Sequence, residues 1–531
     1  MTFKPFRYSW THNPGILALI ITLFFQINCE ASDQKYEPVF EYTISIPHPE
    51  THTYHVDLYC KGLNKDTAIF KLPKWTPGYY QIMNYEKAVE NFTIKNNNWK
   101  PISFTSINEN TWQVLLSKVR SFHISYDIKT DRQFVANSYV DSSHAYIIPS
   151  ASFLYVPEHL DYPVSVTVDP VKDWANMATG LEKVSNKSNE FKAANFDILY
   201  DSPILMGNLE ELPSFMVKGI PHRFIGYKLG DFDKAAFISN LKKIVETAVG
   251  IIGDIPYKEY TFIAIGPGRG GIEHLNNTTV SFDGKELHTE DGMNRMMNFI
   301  AHEYFHHYNV KRIRPFELGP FNYDKANRTN LLWISEGLSV YYEYMIAKRA
   351  GLINEETLLH DFEKNINALE NNPGRQYQSL AQASYETWSD GPFGRQGTEA
   401  SKSISYYDKG PIVGLFLDFV IRNATENQKS LDDVMRYLYW HFYKELHRGF
   451  TDAEFQQACE TIAGFSLNSV FEYVYTTKEL DYNSYLNYAG LKVEMKDGNL
   501  GSNKSKISAV ISPIDKPTEL QKSILSSWIN K

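Results

Sequence analysis

Apolar and polar residues alternate along the first part of the chain. Between about residues 36 and 212, runs such as 40–46, 54–58 and 122–126 carry an apolar side chain at every second position. A period of two is the pattern of a strand with one buried face. Turn-forming clusters at 75–78 and 95–98 separate the runs, and no long helical pattern interrupts them. We therefore predict an all-β domain over 36–212, in the form of a sandwich.

The period changes after about residue 213. Residues 232–252 repeat apolar positions at helical spacing, and 260–265 and 278–282 have the pattern of strands. Thr451 and Glu454 form a capping box that starts a late helix. We predict an α+β domain over 213–400 with a helical continuation over 401–490, and a short, polar, weakly ordered tail over 491–531. The expected helices cover 290–311, 330–350, 410–423, 430–446, 451–463 and 467–477.

The N-terminal residues have the pattern of a targeting segment. Lys4 and Arg7 precede an apolar run over 15–27, whose 13 residues are too few for a confident membrane-spanning helix. The length fits a secretory signal peptide over 1–31 with cleavage after Ala31, which predicts a secreted or periplasmic protein. A lipid anchor at Cys29 and an uncleaved membrane anchor remain open alternatives.

Composition narrows the class of protein. The chain has 531 residues, of which 43% are hydrophobic and 22% charged, so we expect a globular protein with more than one core. The net charge of -9 argues against a nucleic-acid partner.

After cleavage only Cys60 and Cys459 would remain, and nothing in the sequence supports a disulfide between them. Because there is no C-x-x-C motif, any zinc ligands must be histidines and carboxylates.

One helical segment carries the motif H-E-x-x-H. His302 and His306 are four residues apart, so both imidazoles lie on one helix face and can reach one Zn²⁺. Glu303 between them can act as a general base towards a zinc-bound water. His307 faces about 100° away from His306 on an α-helix and is not expected to be a ligand. The alternative is an ordinary amphipathic helix whose histidines bind no metal.

A third ligand is needed, and Glu336 is the best candidate. It lies in the apolar segment 330–337, and a buried carboxylate needs a partner such as a metal ion. Twenty-nine residues separate it from His306, enough for a loop and a return helix. A solvated glutamate near the start of a helix is the alternative.

The glycine-rich loop 266–271 does not have the pattern of a phosphate-binding loop. It lacks a following Gly-Lys-Ser/Thr and leads into a strand instead of a helix. Glycines also allow the backbone to approach a substrate closely, and Glu273 would then direct its carboxylate into the cleft. A surface ion pair is the alternative for Glu273. Tyr407 could donate a hydrogen bond to a developing oxyanion, but in a chain with 35 Tyr the residue pattern alone does not assign that role.

These segments resemble a known family. Residues 302–306 with 309–315, followed by 332–337, look like the glycyl aminopeptidase family of zinc metallopeptidases (M61), within the aminopeptidase N-like and thermolysin-like gluzincins. Segment 270–274 stands where related aminopeptidases carry their G-x-M-E-N exopeptidase loop, and 407–410 resembles their Y-E-K-G segment. Segments 75–79 and 139–145 are similar to N-terminal segments of the family. The resemblance covers about 38–493 and implies a thermolysin-like catalytic domain over 213–400.

The resemblance also implies a zinc site and its chemistry. One Zn²⁺ would be held by His302, His306 and Glu336 with water as the fourth ligand. Glu303 would take a proton from this water as it attacks the scissile carbonyl and pass a proton to the leaving amine. Tyr407 would stabilise the oxyanion together with the zinc.

By the same resemblance, the substrates are peptides with a free N-terminus. Glu273 would pair with their α-ammonium group, Gly270 and Gly271 would hydrogen-bond their backbone, and small N-terminal residues, Gly or Ala, would be preferred. The spacing from His306 to Glu336 exceeds that of aminopeptidase N-like enzymes but fits M61, and we expect no complete PDZ domain after Val493. A catalytically reduced peptide-binding or scaffold protein, a zinc endopeptidase and a hydrolase of non-peptide substrates are the alternatives. We expect membrane contact only through the leader or a lipid at Cys29.

Overall fold

The computed structural model describes residues 37–169, 171–185, 187–498 and 506–530. Pro38–Lys531 forms one compact unit. The expected signal peptide over 1–31 and the possible lipid anchor at Cys29 lie outside the described residues. Within the described ranges, no helix combines the length and hydropathy needed to cross a membrane.

Strands dominate the N-terminal part. One sheet has the order β12-β13-β10-β1-β2-β7-β4, with β1 parallel to β10 and its other pairs antiparallel. A second sheet has the order β11-β14-β9-β8, and a third the order β3-β6-β5. The elements are β1 (Val39–Ser45), β2 (Thr53–Lys61), β3 (Thr67–Lys71), β4 (Val89–Asn96), β5 (Phe104–Asn108), β6 (Thr111–Leu115), β7 (Ser121–Lys129), β8 (Tyr139–Val140), β9 (His144–Ile147), β10 (Val164–Val168), β11 (Asn176–Thr179), β12 (Glu182–Lys183), β13 (Glu190–Ala193), the short helix α1 (Phe196–Tyr200) and β14 (Ile204–Gly207).

The alternation in the sequence corresponds to the two faces of these strands. In β2 and β7, every second side chain is buried and its neighbours are partly exposed. The buried side chains of the three sheets share one hydrophobic cluster. Cys60 lies in this cluster and Cys459 in another, and both are free thiols.

A smaller mixed sheet and a long helix follow. The sheet has the order β15-β17-β18-β20-β19, with β16 paired to β17. β17, β18 and β20 are parallel, whereas β19 is antiparallel to β20. Asp233 caps the helix, and Gly253 ends it in the left-handed conformation. The elements are β15 (Glu210–Glu211), β16 (Phe215–Val217), β17 (Ile220–Gly226), α2 (Lys234–Ile252), β18 (Tyr260–Ala264), β19 (Gly271–Glu273) and β20 (Asn277–Val280).

Helices make up most of the rest. The predicted fold class, an N-terminal all-β sandwich followed by an α+β domain with C-terminal helices, is confirmed. The capping box of Thr451 and Glu454 starts α9 as predicted. The helices are α3 (Glu290–Phe305), α4 (Leu338–Arg349), α5 (Glu355–Glu370), α6 (Leu380–Asp390), α7 (Tyr406–Ala424), α8 (Leu431–Tyr437), α9 (Asp452–Ala463), α10 (Asn468–Tyr475) and α11 (Tyr482–Leu486), with π-helical turns over Trp333–Gly337 and Leu438–Glu445.

The helix expected over 430–446 is α-helical only to Tyr437 and π-helical over Leu438–Glu445. Two further helix predictions need correction. The helix expected over 290–311 ends at Phe305, because the following turns bring the carbonyl of Asn309 to the ring of His306. The helix expected over 330–350 begins as the π-helical turn Trp333–Gly337 and becomes α-helical only at Leu338. Both departures lie at predicted metal ligands, as is common for π-helical turns.

For the described residues 491–498 and 506–530, the expectation of a weakly ordered tail is wrong. Strands β21 (Leu491–Gly498) and β22 (Lys506–Pro513) form an antiparallel pair, and α12 (Glu519–Asn530) follows them. Side chains of α5 bind the backbone of β22, since Glu363 accepts from Ile511 N at 2.7 Å and Asn367 from Ala509 N at 2.6 Å. The domain boundaries near 212, 400 and 490 stay predictions.

One loop of the β-rich part reaches the helical part of the molecule. This insertion loop covers residues 73–83. Its Trp75 donates from Nε1 to the carbonyl of Asn322 at 2.9 Å and packs edge-on against Trp388, with ring centroids 5.0 Å apart. Trp75 and Tyr80 accordingly belong to the hydrophobic cluster of the helices and not to that of the β-strands. The loop thereby brings Gly78 and Tyr80 to the site described next.

Candidate functional site

The predicted metal ligands converge. Nε2 of His302, on the last turn of α3, and Nε2 of His306, directly after the helix, lie 2.9 Å apart. Oε2 of Glu336 lies 3.3 Å from the His306 nitrogen and 3.7 Å from the His302 nitrogen. Ligands at zinc bond lengths of roughly 2.1 Å lie about 3.4 Å apart in a tetrahedron, so the three atoms fit one ion. Within the described ranges, this is the only His/Cys/Asp/Glu group that could hold a metal ion.

Neighbouring groups orient both imidazoles through their second ring nitrogen. Oε2 of Glu343, on α4, lies 2.9 Å from Nδ1 of His302. The carbonyl of Asn309 lies 2.7 Å from Nδ1 of His306. The hydrogen bond to Asn309 fixes the tautomer of His306 and leaves its Nε2 free to face the ion. The contact between Glu343 and His302 has an ion-pair distance without hydrogen-bond geometry, and it places a carboxylate beside that ring.

The electrostatics of the cluster favour a cation. Although burial opposes it, contacts with Glu336 and Glu343 raise the pKa of His302 well above its usual value. Burial alone would raise the pKa of Glu336. The charge of His306 and hydrogen bonds from both histidines outweigh burial and lower this pKa.

Glu303 lies beside the ligands and is packed against β19. A Cβ atom on Gly271 would lie 2.4 Å from the Glu303 carboxyl carbon, so only glycine leaves room for the carboxylate there. Burial raises the pKa of Glu303 to about 8. Its Oε2 is buried and has no hydrogen-bond partner among the described residues. This carboxylate can therefore accept a proton from a water molecule next to the metal position.

Tyr407 reaches the cluster from α7. Its hydroxyl donates to Oε2 of Glu336 at 2.9 Å. The close approach of α7 to the segment that carries Glu336 depends on two glycines. A Cβ on Gly410 would lie 2.7 Å from the Cα of Gly337. The structure thus brings Tyr407 together with the predicted ligands, as expected from the sequence.

Glu273 ends β19 at the opposite side of the cluster. It is buried, and its Oε2 packs so closely on the insertion loop that a Cβ on Gly78 would lie 2.9 Å away. Because it is buried and forms no ion pair with any described residue, the alternative of a surface ion pair is wrong. Glu273, Gly78 and Tyr80 line a cavity of about 70 Å³. A buried carboxylate on such a cavity is suited to bind a small cation.

The remaining predicted residues lie nearby. Gly271 begins β19 opposite Val280, and the Gly270 carbonyl accepts from Ser281 N at 3.0 Å. Their hydrogen bonds to a substrate stay a prediction. His307 packs among tyrosines, with its ring centroid 5.1 Å from that of Tyr257, and it is not part of the metal-binding group, as predicted.

Three site residues were missed from the sequence: Tyr80, Asn309 and Glu343. Glu343 is seven residues after Glu336, so the two carboxylates lie on one face of a helix, and this spacing is a signal that could have revealed it. Tyr80 directly follows the quoted segment 75–79. Asn309 contributes its backbone carbonyl, which no sequence pattern marks.

Comparisons with known proteins give two family matches and a set of similar structures. Residues 41–208 match the Peptidase M61 N-terminal domain, and residues 295–413 match M61 glycyl aminopeptidase. Together the two matches span more than half of the chain. No curated protein matches the sequence.

Among solved structures, an aminopeptidase N family protein from Idiomarina loihiensis aligns with a TM-score of 0.82 and 26% identity, over 86% of this chain and 79% of that chain. An M1 zinc metallopeptidase from Deinococcus radiodurans aligns with a TM-score of 0.51 and 13% identity, over 83% and 94%. A mutant of that enzyme, bound to a Tyr-Ser-Ala substrate, gives a TM-score of 0.51 and 14% identity, over the same 83% and 94%. At these low identities the M1 structures support the fold alone.

Proposed function

Because the chain belongs to the M61 family of metallopeptidases, we propose that it is a zinc-dependent aminopeptidase that removes small residues, Gly or Ala, from the N-terminus of peptides. The observation that carries the proposal is the convergence of two imidazoles and one carboxylate on a single point, with the carboxylate of Glu303 beside them. We further propose secretion or export to the periplasm, on the pattern of residues 1–31.

The ligand set fits zinc. Two histidines and one glutamate are ligands typical of a catalytic zinc site, which leaves a fourth position open. Bound there, Zn²⁺ would polarise the scissile carbonyl and lower the pKa of a water molecule. The carboxylate of Glu343 and the carbonyl of Asn309 keep His302 and His306 in the orientation that this requires.

In the proposed reaction, three residues of the chain have separate roles. Glu303 takes the proton of the attacking water and delivers it to the nitrogen of the leaving amine. Tyr407 donates a hydrogen bond to the oxygen that gains negative charge. Glu273 pairs with the α-ammonium of the substrate, which restricts cleavage to the first peptide bond. The proposed preference for small N-terminal residues is supported by the match to M61 glycyl aminopeptidase.

The alternatives make different predictions. A zinc endopeptidase would use the same ligands but would not need a buried carboxylate on the cavity lined by Gly78 and Tyr80. A catalytically reduced binding or scaffold protein would be expected to have lost a ligand or the base, whereas His302, His306, Glu336 and Glu303 are all in place.

The test compares Ala-Phe-amide with its N-acetylated form and uses the variant Glu273→Ala. The wild type should cleave the free peptide and leave the blocked one intact. In the variant, kcat/KM for the free peptide should fall by about 10- to 100-fold, mainly through KM, because a charge-assisted contact is lost. The exposed Glu479→Ala serves as the matched control and should match the wild type. Equal cleavage of blocked and free peptide would indicate an endopeptidase, and absence of turnover in zinc-loaded protein would indicate a binding protein.

A further inference from the structure

Phe393 stands out among the aromatic side chains near the site. It is 76% exposed, the highest value of any large hydrophobic side chain in the part of the chain that the structure describes. Its ring nevertheless stacks on that of Tyr407, with centroids 5.7 Å apart and 30° between the planes. The hydroxyl of Tyr407 in turn binds Glu336. Phe393 therefore exposes one face of its ring to solvent. Through Tyr407, the ring is connected to the predicted metal ligand Glu336.

The loop that carries Phe393 is held in place. It connects α6 to α7, and Arg395 anchors it with contacts of 2.9 Å to both Asp390 and Glu386. At its other end, Ser405 donates from Oγ to the carbonyl of Pro392 at 3.0 Å. These contacts hold the chain just before and just after Phe393.

The position of Phe393 distinguishes the two ends of a bound peptide. The cavity beside Glu273 is lined by Gly78 and Tyr80 and does not include Phe393. If this cavity takes the N-terminal residue, the rest of the peptide must leave the site on its open side. Phe393 is exposed, stacks on Tyr407 and lies outside the cavity lining, so its ring is available to the part of the peptide that does not occupy the cavity. Aromatic rings bind apolar side chains, and other rings best of all.

We propose that Phe393 forms a subsite for an apolar, preferably aromatic, side chain of the residue that follows the scissile bond. This inference rests on the proposed aminopeptidase function. It adds a preference for the second residue of the substrate to the preference for a small first residue. Phe393 contacts the substrate directly, and the ring of Tyr407 packs against Phe393.

The experiment uses the zinc-loaded full chain and four substrates that share the same first residue: Ala-Phe-amide, Ala-Leu-amide, Ala-Gly-amide and alaninamide. Kinetic constants are measured for the wild type, Phe393→Ala and Phe393→Leu. Trp99→Ala is the matched control, because Trp99 is 65% exposed and stacks on His123 at 5.4 Å between centroids, in the β-rich part of the chain. Thermal unfolding of each variant checks that it is folded.

The wild type should prefer Ala-Phe-amide and Ala-Leu-amide to Ala-Gly-amide. In Phe393→Ala, the ratio of kcat/KM for Ala-Phe-amide over that for Ala-Gly-amide should fall by about 10-fold, through KM, since one ring-to-ring contact is lost. Phe393→Leu should retain part of the preference, and Trp99→Ala all of it.

Two outcomes would overturn the inference while leaving the proposed function intact. An equal loss of kcat on all four substrates, alaninamide included, would show that Phe393 only positions Tyr407. An unchanged ratio in Phe393→Ala would show that the ring does not contact the substrate. Failure of the wild type to hydrolyse any of the four would overturn the proposed function and this inference with it.

Discussion

Single side chains outside the H-E-x-x-H motif determine how its histidines face the metal position. Glu343 contacts Nδ1 of His302, and the carbonyl of Asn309 contacts Nδ1 of His306. Asn309 makes its contact through a backbone carbonyl, so only the contact of Glu343 can be removed by changing a side chain. Removing its charge also leaves the volume of the side chain nearly unchanged.

Glu343→Gln should weaken zinc binding by about 10- to 100-fold, which is the usual effect of losing the second partner of a metal-binding histidine. Competition with a chromogenic chelator measures this affinity directly. Glu472→Gln, an exposed carboxylate paired with Lys478, is the control and should bind zinc like the wild type. If Glu343→Gln retains wild-type affinity, Glu343 does not orient His302.

At the scale of elements, the site depends on how closely two helical segments approach. The π-helical turn Trp333–Gly337 carries Glu336, and α7 carries Tyr407. They touch at Gly337 and Gly410, where no side chain fits between the backbones. The distance between the two segments thus sets the contact between the tyrosine hydroxyl and the metal ligand.

Gly410→Ala should therefore separate the segments, because its Cβ would lie 2.7 Å from the Cα of Gly337. We expect a loss of about 1–3 kcal/mol in the free energy of unfolding, the usual cost of overpacking, together with reduced kcat. Gly250→Ala is the matched control, since it lies in α2 with no atom within 4 Å of its Cβ position. It should stabilise the protein by about 0.5–1 kcal/mol. Urea unfolding gives both values, and equal stability of the two variants would contradict this account.

The elements differ in how far the sequence predicts them. Local patterns gave β2, α2 and α9, because alternation, helical periodicity and the Thr451–Glu454 capping box depend on neighbouring residues only. The π-helical turn at Glu336 and the early end of α3 were missed, since contacts with α7 and with the ring of His306 decide them. The strand β22 was missed for the same reason: Glu363 and Asn367 of α5 bind its backbone from more than 100 residues away.

Residues of the site likewise were predicted where local patterns mark them and missed where long-range contacts decide their position. His302, Glu303 and His306 were predicted from motif spacing, because four residues of helix encode their geometry. Glu336 was predicted from its apolar neighbours and from the resemblance. Tyr80 and Phe393 were not predicted, since an insertion loop and an inter-helix loop bring them to the site from distant parts of the sequence.

At the scale of the whole molecule, the C-terminal elements support the helix that follows the third ligand. Trp528 of α12 is buried and packs on Phe419 with ring centroids 5.0 Å apart. Its Nε1 donates to the hydroxyl of Tyr341, on α4, at 3.0 Å. The last helix is therefore part of the core next to the catalytic elements.

Trp528→Ala should lower the free energy of unfolding by about 3–5 kcal/mol, because the change leaves a large cavity in the core. Trp440→Ala, at a 48% exposed position, should change it by less than about 0.5 kcal/mol. Calorimetry or urea unfolding compares the two. Similar small effects for both would mean that α12 does not contribute to the core.

The central claim is that one zinc ion and Glu303 together hydrolyse the first peptide bond. The most direct measurement determines the zinc content of Glu303→Gln and its rate on Ala-Phe-amide under the same conditions as the wild type. We predict one zinc ion per chain in both proteins and a kcat at least about 100-fold lower in the variant, because the general base is lost while the ligands remain. A zinc-loaded Glu303→Gln with wild-type activity would contradict the account.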